Sequence, residues 1–422
     1  MHSTNSSPST AREILQCSLQ HTDGPIAFDL GASPVSGIHV SCLEGLRRHY
    51  GLEDKPVKVH EPCQMLGFPE DDLLDVLGVP VRGIFSPWTK FGYENKNWKE
   101  WKTPWGQIVL VGEDFQVDET KSDVFIYPCG DRGVPPSAQM PKTGFFFDAV
   151  IRQEPIDDAT LRVEDNLEEF QPISDATLAS LRMQLDTIQA TGRGSVLCIG
   201  GTGFGDVGSV PGMQLRHPKG IRDIAEWYIS TVSRRKHIHA IFEGQLEIAL
   251  ANLQKVHDTL GNAIDVIYLC GTDFGTQQSL FCSEKTFREL WFCYYKLLND
   301  WIHTHTTWKT FKHSCGAIFP LIPALIECGF DILNPVQCSA AGMDPKRLKA
   351  EFGEQLVFWG GGVDTQKTLP FGTPDEVRDQ VRQRIDIFAP GGGFVFNTVH
   401  NIQALTPIEN LVAMFETIQL YC

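Results

Sequence analysis

The chain has 422 residues, of which 42% are hydrophobic and 21% are charged, and these proportions are typical of a folded globular protein. Its 52 acidic residues outnumber its 36 basic residues and give a formal net charge of −16, which argues against nucleic acid as a partner because phosphate binding needs a basic surface. No apolar run is long enough for a membrane-spanning helix, and the 12 cysteines are scattered without a CxxC pair. We therefore predict a cytoplasmic protein with reduced thiols.

Eight short apolar runs predict the strands of the fold. Near-continuous apolar runs of this length are typical of parallel strands that are buried on both faces. The runs are 25–31, 81–85, 195–200, 265–270, 310–314, 330–334, 356–360 and 393–397.

Helical patterns separate the later strands. Two of them begin with a capping hydroxyl, from Ser283 and Thr373, followed by an acidic first turn. Eight strands with helices between them predict an α/β fold, a single-domain (β/α)8 TIM barrel. The predicted helices are 220–232, 245–260, 283–303, 318–328, 344–352, 373–387 and 408–419.

One long segment does not fit the strand–helix repeat. Residues 86–175 follow the second strand, and their first half is rich in Trp, Lys, Gly and Pro. We interpret them as a large insertion, either a lid or assembly surface, or a small subdomain with structural duties alone. Residues 1–20 are expected to form a flexible N-terminal segment and a first helix, and 21–422 the barrel domain with its insertion.

Polar residues follow every predicted strand. The active sites of such barrels lie at the carboxyl ends of the strands, so these residues are the candidates for a pocket. They are Asp29, Arg82 with Ser86, Thr202, Asp273, His313 with Cys315, Asn334 with Gln337, Asp364 with Gln366, and His400 with Asn401.

His313 and Cys315 stand two residues apart at the end of a predicted strand. Residues i and i+2 of a strand point to the same face, so an imidazole and a thiol could reach one metal ion. The alternative is a buried histidine that bonds a carbonyl, beside a packed thiol. The glycine runs 360–362 and 391–393 match no nucleotide-binding pattern and are expected to form tight turns.

Several longer motifs carry a family resemblance. They occur in a fixed order and extend over about residues 10–417: DFGTQ at 273–277, HSCGAI at 313–318, GFDILNPVQ at 329–337, FWGGGVD at 358–364, GGFV at 392–395, HNIQ at 400–403 and PIEN at 407–410. The chain resembles the uroporphyrinogen decarboxylase (URO-D) superfamily. The resemblance implies a (β/α)8 barrel.

That superfamily contains two chemistries. One branch decarboxylates uroporphyrinogen without a cofactor, and its arginines grip the substrate carboxylates from an N-terminal R-Q-A-G-R-type segment. No such segment is present here, because the first strand runs into GASPV at 31–35 and Arg47 and Arg48 stand in a helical stretch. Arginine, which can form two hydrogen bonds with one carboxylate, is the side chain best suited to bind such a substrate. Because the arginine segment is missing, the decarboxylase is the weaker hypothesis.

The other branch comprises cobamide-dependent methyltransferases, whose zinc is held by a His-x-Cys pair and a distant Cys. His313 and Cys315 match the pair, and His400 stands where the distant Cys is expected. The resemblance thus implies zinc held by His313, Cys315 and His400. The alternative for His400 is a residue on a mobile loop that forms a hydrogen bond with the substrate. Imidazole in place of thiolate raises the net charge of the site by one and makes the zinc a stronger Lewis acid, which favours removal of a methyl group from an ether oxygen.

The predicted function is a zinc-dependent methyltransferase that moves a methyl group between a small methylated compound, preferably an O-methyl compound, or a thiol and a separate corrinoid (cobalamin) protein. The corrinoid is expected on a partner because the chain has no D-x-H-x-x-G cobalamin-binding segment. The alternatives are a cofactor-free decarboxylase and a non-catalytic small-molecule-binding barrel, and a homodimer is left open. Asp273, Gln337 and Asp364 are the expected catalytic residues, and the expected substrate-binding residues are Asp29, Arg82, Thr202, Asn334 and Asn401.

Overall fold

The computed structural model describes residues 10–422. Its first helix, Ala11–Leu19, begins at a capping box in which the Thr10 side chain and Glu13 exchange hydrogen bonds with each other's backbone N–H. Of the predicted N-terminal segment at 1–20, residues 1–9 lie outside the described residues. None of the described helices is long and apolar enough to cross a membrane.

Seventeen strands are present in the described residues, numbered here in chain order. They are β1 Ala27–Phe28, β2 Ile38–His39, β3 Val57–Glu61, β4 Leu66–Gly67, β5 Val81–Phe85, β6 Lys99–Lys102, β7 Ile108–Val111, β8 Val117–Glu119, β9 Asp123–Ile126, β10 Ala138–Pro141, β11 Asp148–Ala149, β12 Gly194–Cys198, β13 Val266–Cys270, β14 Lys309–His313, β15 Ile332–Asn334, β16 Val357–Trp359 and β17 Phe394–Phe396.

The α-helices of the described residues are numbered in the same way. They are α1 Ala11–Leu19, α2 Val40–His49, α3 Asp71–Leu77, α4 Asp175–Ala190, α5 Ile224–Ser233, α6 Arg235–Leu260, α7 Glu284–Leu290, α8 Phe292–His305, α9 Ile322–Glu327, α10 Pro345–Phe352, α11 Thr368–Phe371, α12 Pro374–Phe388 and α13 Ile408–Ile418.

Eight parallel strands form the barrel, in the order β1-β17-β16-β15-β14-β13-β12-β5. All eight overlap the strands predicted from the sequence, and the predicted fold class is confirmed. Every residue of β12 is buried, as a parallel strand covered on both faces requires. The two end strands, β1 and β5, do not pair with each other, so the barrel is nearly closed. At this gap a methyl group on Gly83 would lie 2.6 Å from the Ala32 carbonyl oxygen, which explains the glycine.

One predicted helix is divided in two. The segment predicted at 283–303 forms α7 and α8, which meet at Trp291. The Trp291 side chain is buried, and its indole N–H donates to the Phe204 carbonyl at 3.1 Å. Two capping predictions match the structure: Ser283 caps α7, and Thr373 forms a capping box at the start of α12.

The segment between β5 and β12 builds two further sheets. Strands β8 to β11 form an antiparallel sheet of four, in the order β11-β10-β9-β8. Strands β6 and β7 join three strands that precede β5, in the order β2-β4-β3-β7-β6. The inserted segment is therefore tied to residues 38–67 by backbone pairing. The predicted domain boundaries stay a prediction.

Candidate metal centre

Three side chains that could hold a metal ion converge at the carboxyl ends of the barrel strands. His313 ends β14, Cys315 follows two residues later, and His400 lies in the loop after β17. One candidate ligand atom from each of them lies within 4.8 Å of the others. The His313 Nε2 atom is 3.3 Å from the Cys315 Sγ atom, and the two imidazole centroids are 5.3 Å apart. The fold thus brings together residues that are far apart in the sequence.

His313 is held in the tautomer that a metal ligand needs. Its Nδ1–H donates to the Asn334 Oδ1 atom at 2.5 Å. The Asn334 amide N–H donates in turn to the Trp359 carbonyl at 2.6 Å, which fixes Oδ1 as the atom that faces the imidazole. The proton therefore stays on Nδ1, and the Nε2 lone pair faces the thiol. Burial lowers the pKa of His313 to about 4, so the ring is neutral at physiological pH.

His400 is arranged differently. Its backbone has a φ of +75°, in the left-handed region that non-glycine residues seldom adopt. The Asn401 backbone N–H donates to the His400 Nδ1 atom at 2.8 Å. In the neutral ring this bond places the proton on Nε2. His400 must therefore move that proton, or give up the bond to Asn401, before either nitrogen can bind a metal.

Cys315 is a protonated thiol in the metal-free protein. Burial raises its pKa well above the ordinary value for a cysteine, and the negative charge of Asp273 raises it further. A divalent cation acts in the opposite direction, because coordination removes the thiol proton. The Cys315 backbone is fixed by its N–H, which donates to the Asp273 Oδ1 atom at 2.7 Å.

The donor set fits zinc. Two imidazoles and one thiolate are ligands that zinc prefers, and three protein ligands leave a fourth tetrahedral position for a substrate. Ligand atoms around a tetrahedral zinc lie roughly 3.5 Å apart. The observed 3.3 Å between His313 Nε2 and Cys315 Sγ is close to that value. The His400 ligand atom, which lies within 4.8 Å of the other two, would have to approach them by about 1.3 Å at most to reach that separation.

Comparison with known proteins places the chain in a family. The family model described as "Uroporphyrinogen decarboxylase (URO-D)" matches residues 153–421, which is more than half of the chain. The chain belongs to the uroporphyrinogen decarboxylase (URO-D) family. A curated uroporphyrinogen decarboxylase from Azoarcus sp. (strain BH72) is 30% identical over 76 residues, 18% of this chain and 20% of that protein. The chain thus matches about a fifth of that relative's length.

A solved structure supports the fold of this URO-D family member. A methyltransferase from Methanosarcina mazei covers 98% of this chain, and the alignment covers 99% of that protein, with a TM-score of 0.53. The two sequences are 13% identical, so this similarity shows a shared fold.

Asp273 is the predicted catalytic residue that lies beside the cluster. Its Oδ1 atom, which accepts the Cys315 N–H, is 3.8 Å from the His313 Nε2 atom. Burial raises the pKa of Asp273 above its ordinary value, although the bond from Cys315 opposes the shift. No hydrogen bond from the residues between Thr10 and Cys422 reaches Oδ2, so that oxygen is free to accept a proton from a ligand.

Four other predicted residues of this URO-D barrel hold its rim together. The Gln337 side chain accepts the Gly316 N–H and donates to Gln277, both at 2.9 Å, and so joins two loops. The Thr202 hydroxyl donates to the Leu269 carbonyl. The Asn334 side chain bonds His313 and the Trp359 carbonyl. The Asn401 side chain likewise bonds the backbone of Gly37 and Pro34.

Two predicted acidic residues lie at the ends of β1 and β16. Asp29 is buried and accepts hydrogen bonds from the Ala32 N–H at 2.8 Å and the Trp359 indole N–H at 2.9 Å. Burial raises the pKa of Asp29 to about 6. The Asp364 Oδ1 atom accepts the Gln366 N–H at 2.7 Å and so shapes the turn after β16.

Arg82 does not lie at the carboxyl end of its strand, where the sequence predicts it. Arg82 is the second residue of β5, so it lies near the amino end of the strand, away from the metal centre. Its guanidinium pairs with Asp71 of α3 and lies 4.9 Å from the centroid of the Phe68 ring. The residue that does follow this strand is Ser86.

Three polar residues near the site were not predicted from the sequence. The Lys312 ammonium is fully buried and donates to the carbonyls of Thr272 and His313, both at 2.6 Å. Asp206, in the loop after β12, accepts the Gly271 N–H at 3.3 Å. Lys90 reaches in from the insertion. A lysine next to His313 in an apolar strand was a usable signal, but no local pattern marks Asp206 or Lys90.

Proposed function

We propose that this URO-D family protein is a zinc-dependent methyltransferase, which moves a methyl group between a small methylated compound or a thiol and a separate corrinoid protein. The observation that supports the proposal is the convergence of His313, Cys315 and His400, with the His313 proton held on Nδ1 so that Nε2 is available to a metal. A methyltransferase has the same fold. Zinc itself, the corrinoid partner and the substrate belong to the proposal.

The ligand identities favour an ether as the methyl donor. Bound zinc would act as a Lewis acid on a ligand atom in its fourth position. Two neutral imidazoles and one thiolate leave one more positive charge at the metal than one imidazole and two thiolates would. That charge stabilises an oxygen anion better than it activates a thiol. His400 is therefore the residue that selects an O-methyl compound over a thiol.

The neighbouring residues have positioning and proton-transfer roles in this proposal. Asn334 keeps the proton on His313 Nδ1, and Asp273 holds the Cys315 backbone with Oδ1. The free Oδ2 atom of Asp273 can accept a proton from a substrate hydroxyl or return it to the departing oxygen. Its raised pKa suits that exchange, because the carboxyl group then holds a proton more readily than an exposed one.

The test combines metal content with turnover. Protein loaded with zinc should hold about one ion per chain, and with methoxybenzene and chemically reduced cobalamin it should produce methylcobalamin, followed by absorbance. Cys315→Ser should lose zinc and turnover. Cys293→Ser is the matched control, because Cys293 is exposed and outside the cluster. Unchanged zinc content in Cys315→Ser, or full methyl transfer by metal-free protein, would contradict the proposal.

The decarboxylase is the second candidate, favoured by the curated relative from Azoarcus. Its weakness is the missing arginine clamp. Arg47 lies in α2 and its guanidinium is occupied by Asp72 at 2.7 Å and by the Glu53 carbonyl at 3.1 Å. Anaerobic incubation with uroporphyrinogen should therefore yield no coproporphyrinogen. Its formation in proportion to protein would restore this candidate, whereas zinc binding without either activity would favour a non-catalytic small-molecule-binding barrel.

A further inference from the structure

A cleft lies between the start of the insertion and the loops that follow β5 and β12. Its volume is about 450 Å³, which is within the range of small-molecule sites. Trp88 and Lys90 line it from the insertion, and Ile199, Gly208 and Met213 line it from the barrel side. Trp88 is 51% exposed. An exposed indole, an isoleucine and a methionine together give the cleft an apolar wall.

Lys90 is a charged residue of the cleft whose side chain lacks a direct partner within residues 10–422. It forms no hydrogen bond or ion pair there. Lys90 is solvent-exposed, and attraction to the carboxylates of Glu61 and Asp206 raises the pKa of its ammonium group above the ordinary value. The side chain is thus an ammonium group that has three N–H donors without a protein acceptor.

The nearby carboxylates, in contrast, already have donors. Glu61 accepts the backbone N–H groups of Cys63 and Gln64 at 3.0 and 2.8 Å. Asp206 accepts those of Gly208 and Gly271 at 2.9 and 3.3 Å. Lys90 Nζ is therefore a solvent-accessible donor without a protein acceptor, and an anionic group on a ligand can accept its hydrogen bonds.

Asp206 connects the Lys90 corner of the cleft to the metal centre. A methyl group on Gly208 would lie 3.3 Å from both Lys90 Nζ and Asp206 Oδ1. A methyl group on Gly271 would lie 3.3 Å from Asp206 Oδ2 and 3.9 Å from the His313 Cδ2 atom. Asp206 thus lies near both the Lys90 ammonium and the His313 ring. A small ligand held by Lys90 could extend past Asp206 to His313.

We propose that this cleft binds the methyl donor, and that the donor is a carboxylic acid with an apolar body. Its carboxylate accepts hydrogen bonds from Lys90 Nζ, its body packs on Trp88 and Met213, and its methyl-bearing oxygen extends toward His313. The role of the ligand as methyl donor rests on the proposed function. The carboxylate site itself does not depend on zinc.

The experiment measures binding of two probes that differ only in the carboxylate, 4-methoxybenzoate and methoxybenzene, by isothermal titration calorimetry. The variants are Lys90→Met, Lys90→Arg and, as the matched control, the exposed Lys121→Met. Lys90→Met should weaken 4-methoxybenzoate binding by about tenfold or more, the loss expected for a hydrogen bond to a charged group. It should leave methoxybenzene binding unchanged. Lys90→Arg should keep part of the affinity, and Lys121→Met all of it. Thermal unfolding should show that Lys90→Met remains folded.

Titrations with and without zinc separate this inference from the proposed function. If the protein takes up no zinc but binds 4-methoxybenzoate in a Lys90-dependent manner, the carboxylate site is supported and the proposed methyltransferase function is contradicted. Zinc uptake and methyl transfer, combined with equal 4-methoxybenzoate affinity in the wild type and Lys90→Met, would support the methyltransferase and overturn the carboxylate site. Failure of 4-methoxybenzoate to bind the wild type more tightly than methoxybenzene would also overturn the carboxylate site.

Discussion

The two histidines of the candidate metal centre differ in which ring nitrogen is available to bind a metal. Asn334 holds the proton of His313 on Nδ1, so Nε2 is ready to bind. Asn401 donates to His400 Nδ1, so the neutral His400 ring holds its proton on Nε2. Metal binding at His400 therefore costs a hydrogen bond or a proton shift that binding at His313 does not.

The first prediction concerns His400. His400→Ala should lose most of its zinc on mild chelation, because two ligands remain. His400→Cys should retain the metal, because a thiolate restores three ligands, but it should transfer methyl groups from an ether more slowly than the wild type because the site loses one positive charge. Zinc content after dialysis against a chelator is the measurement. Equal zinc retention in the wild type and the alanine variant would place His400 outside the ligand set.

The second prediction concerns His60, whose ring lies 4.1 Å from that of Phe85 and 5.8 Å from that of Phe68. Burial lowers the pKa of His60 to about 4, below its value of about 6.5 in an unfolded chain. Between those values the unfolded chain binds a proton that the folded chain does not, so stability falls as the pH falls from 6.5 toward 4.

His60→Leu should abolish the part of this loss of stability that His60 causes. That part is at most about 1.4 kcal/mol in the free energy of unfolding per pH unit between pH 6.5 and pH 4. Urea unfolding of the metal-free protein at pH 7 and pH 5 measures it. The variant should lose less stability between the two values than the wild type does. An equal loss in both proteins would mean that His60 is not buried in its neutral form.

At the scale of the elements, the loops after the strands hold one another. Gln337 joins the loops after β13 and β14, Lys312 bonds carbonyls at the ends of the same strands, and Asn334 joins β15 to β14 and β16. The opposite end of the barrel is held by ion pairs. There Arg82 of β5 and Arg193, which precedes β12, both pair with Asp71 of α3.

The third prediction separates these two ends. Arg82→Met should lower the free energy of unfolding by about 1 kcal/mol, because it breaks a partly exposed ion pair that ties α3 to β5. Zinc content and 4-methoxybenzoate affinity should stay at wild-type values. Arg378→Met, which breaks the exposed pair with Asp375, is the control and should cost less. Unchanged stability with weakened ligand binding would instead support the substrate-binding role predicted for Arg82.

At the scale of the whole molecule, the candidate metal centre brings distant parts of the chain together. His313 and Cys315 follow β14, whereas His400 follows β17, and two strands lie between them in the barrel. An ion bound by all three residues requires the folded barrel, so its binding free energy adds to the stability of the native state.

The fourth prediction follows from this linkage. Free zinc at about 100 times its dissociation constant should stabilise the protein by about 2.7 kcal/mol. The Tm of the wild type should therefore rise with zinc and fall again with a chelator. His313→Ala should show a much smaller rise. Magnesium should have no comparable effect on the wild type, because it prefers oxygen ligands in an octahedral arrangement. A zinc-induced rise of equal size in His313→Ala would locate the zinc elsewhere.

The sequence by itself determined the barrel and the pairing of His313 with Cys315 in the candidate metal centre. Apolar runs reveal buried parallel strands because a strand covered on both faces has no polar side to break the run. All eight barrel strands were predicted for that reason. The pairing of His313 with Cys315 was equally local, since the period of two in a strand places both on one face.

Only the tertiary structure decided which other residues meet there. Arg82 lies in a predicted strand but at its amino end, and Lys90 and Asp206 stand in irregular segments whose sequence gives no position. The proton on each histidine was also fixed by partners from elsewhere in the fold or from the backbone, Asn334 for His313 and the Asn401 N–H for His400. Local periodicity determines which way a side chain points, but barrel closure and the path of the insertion determine what it faces.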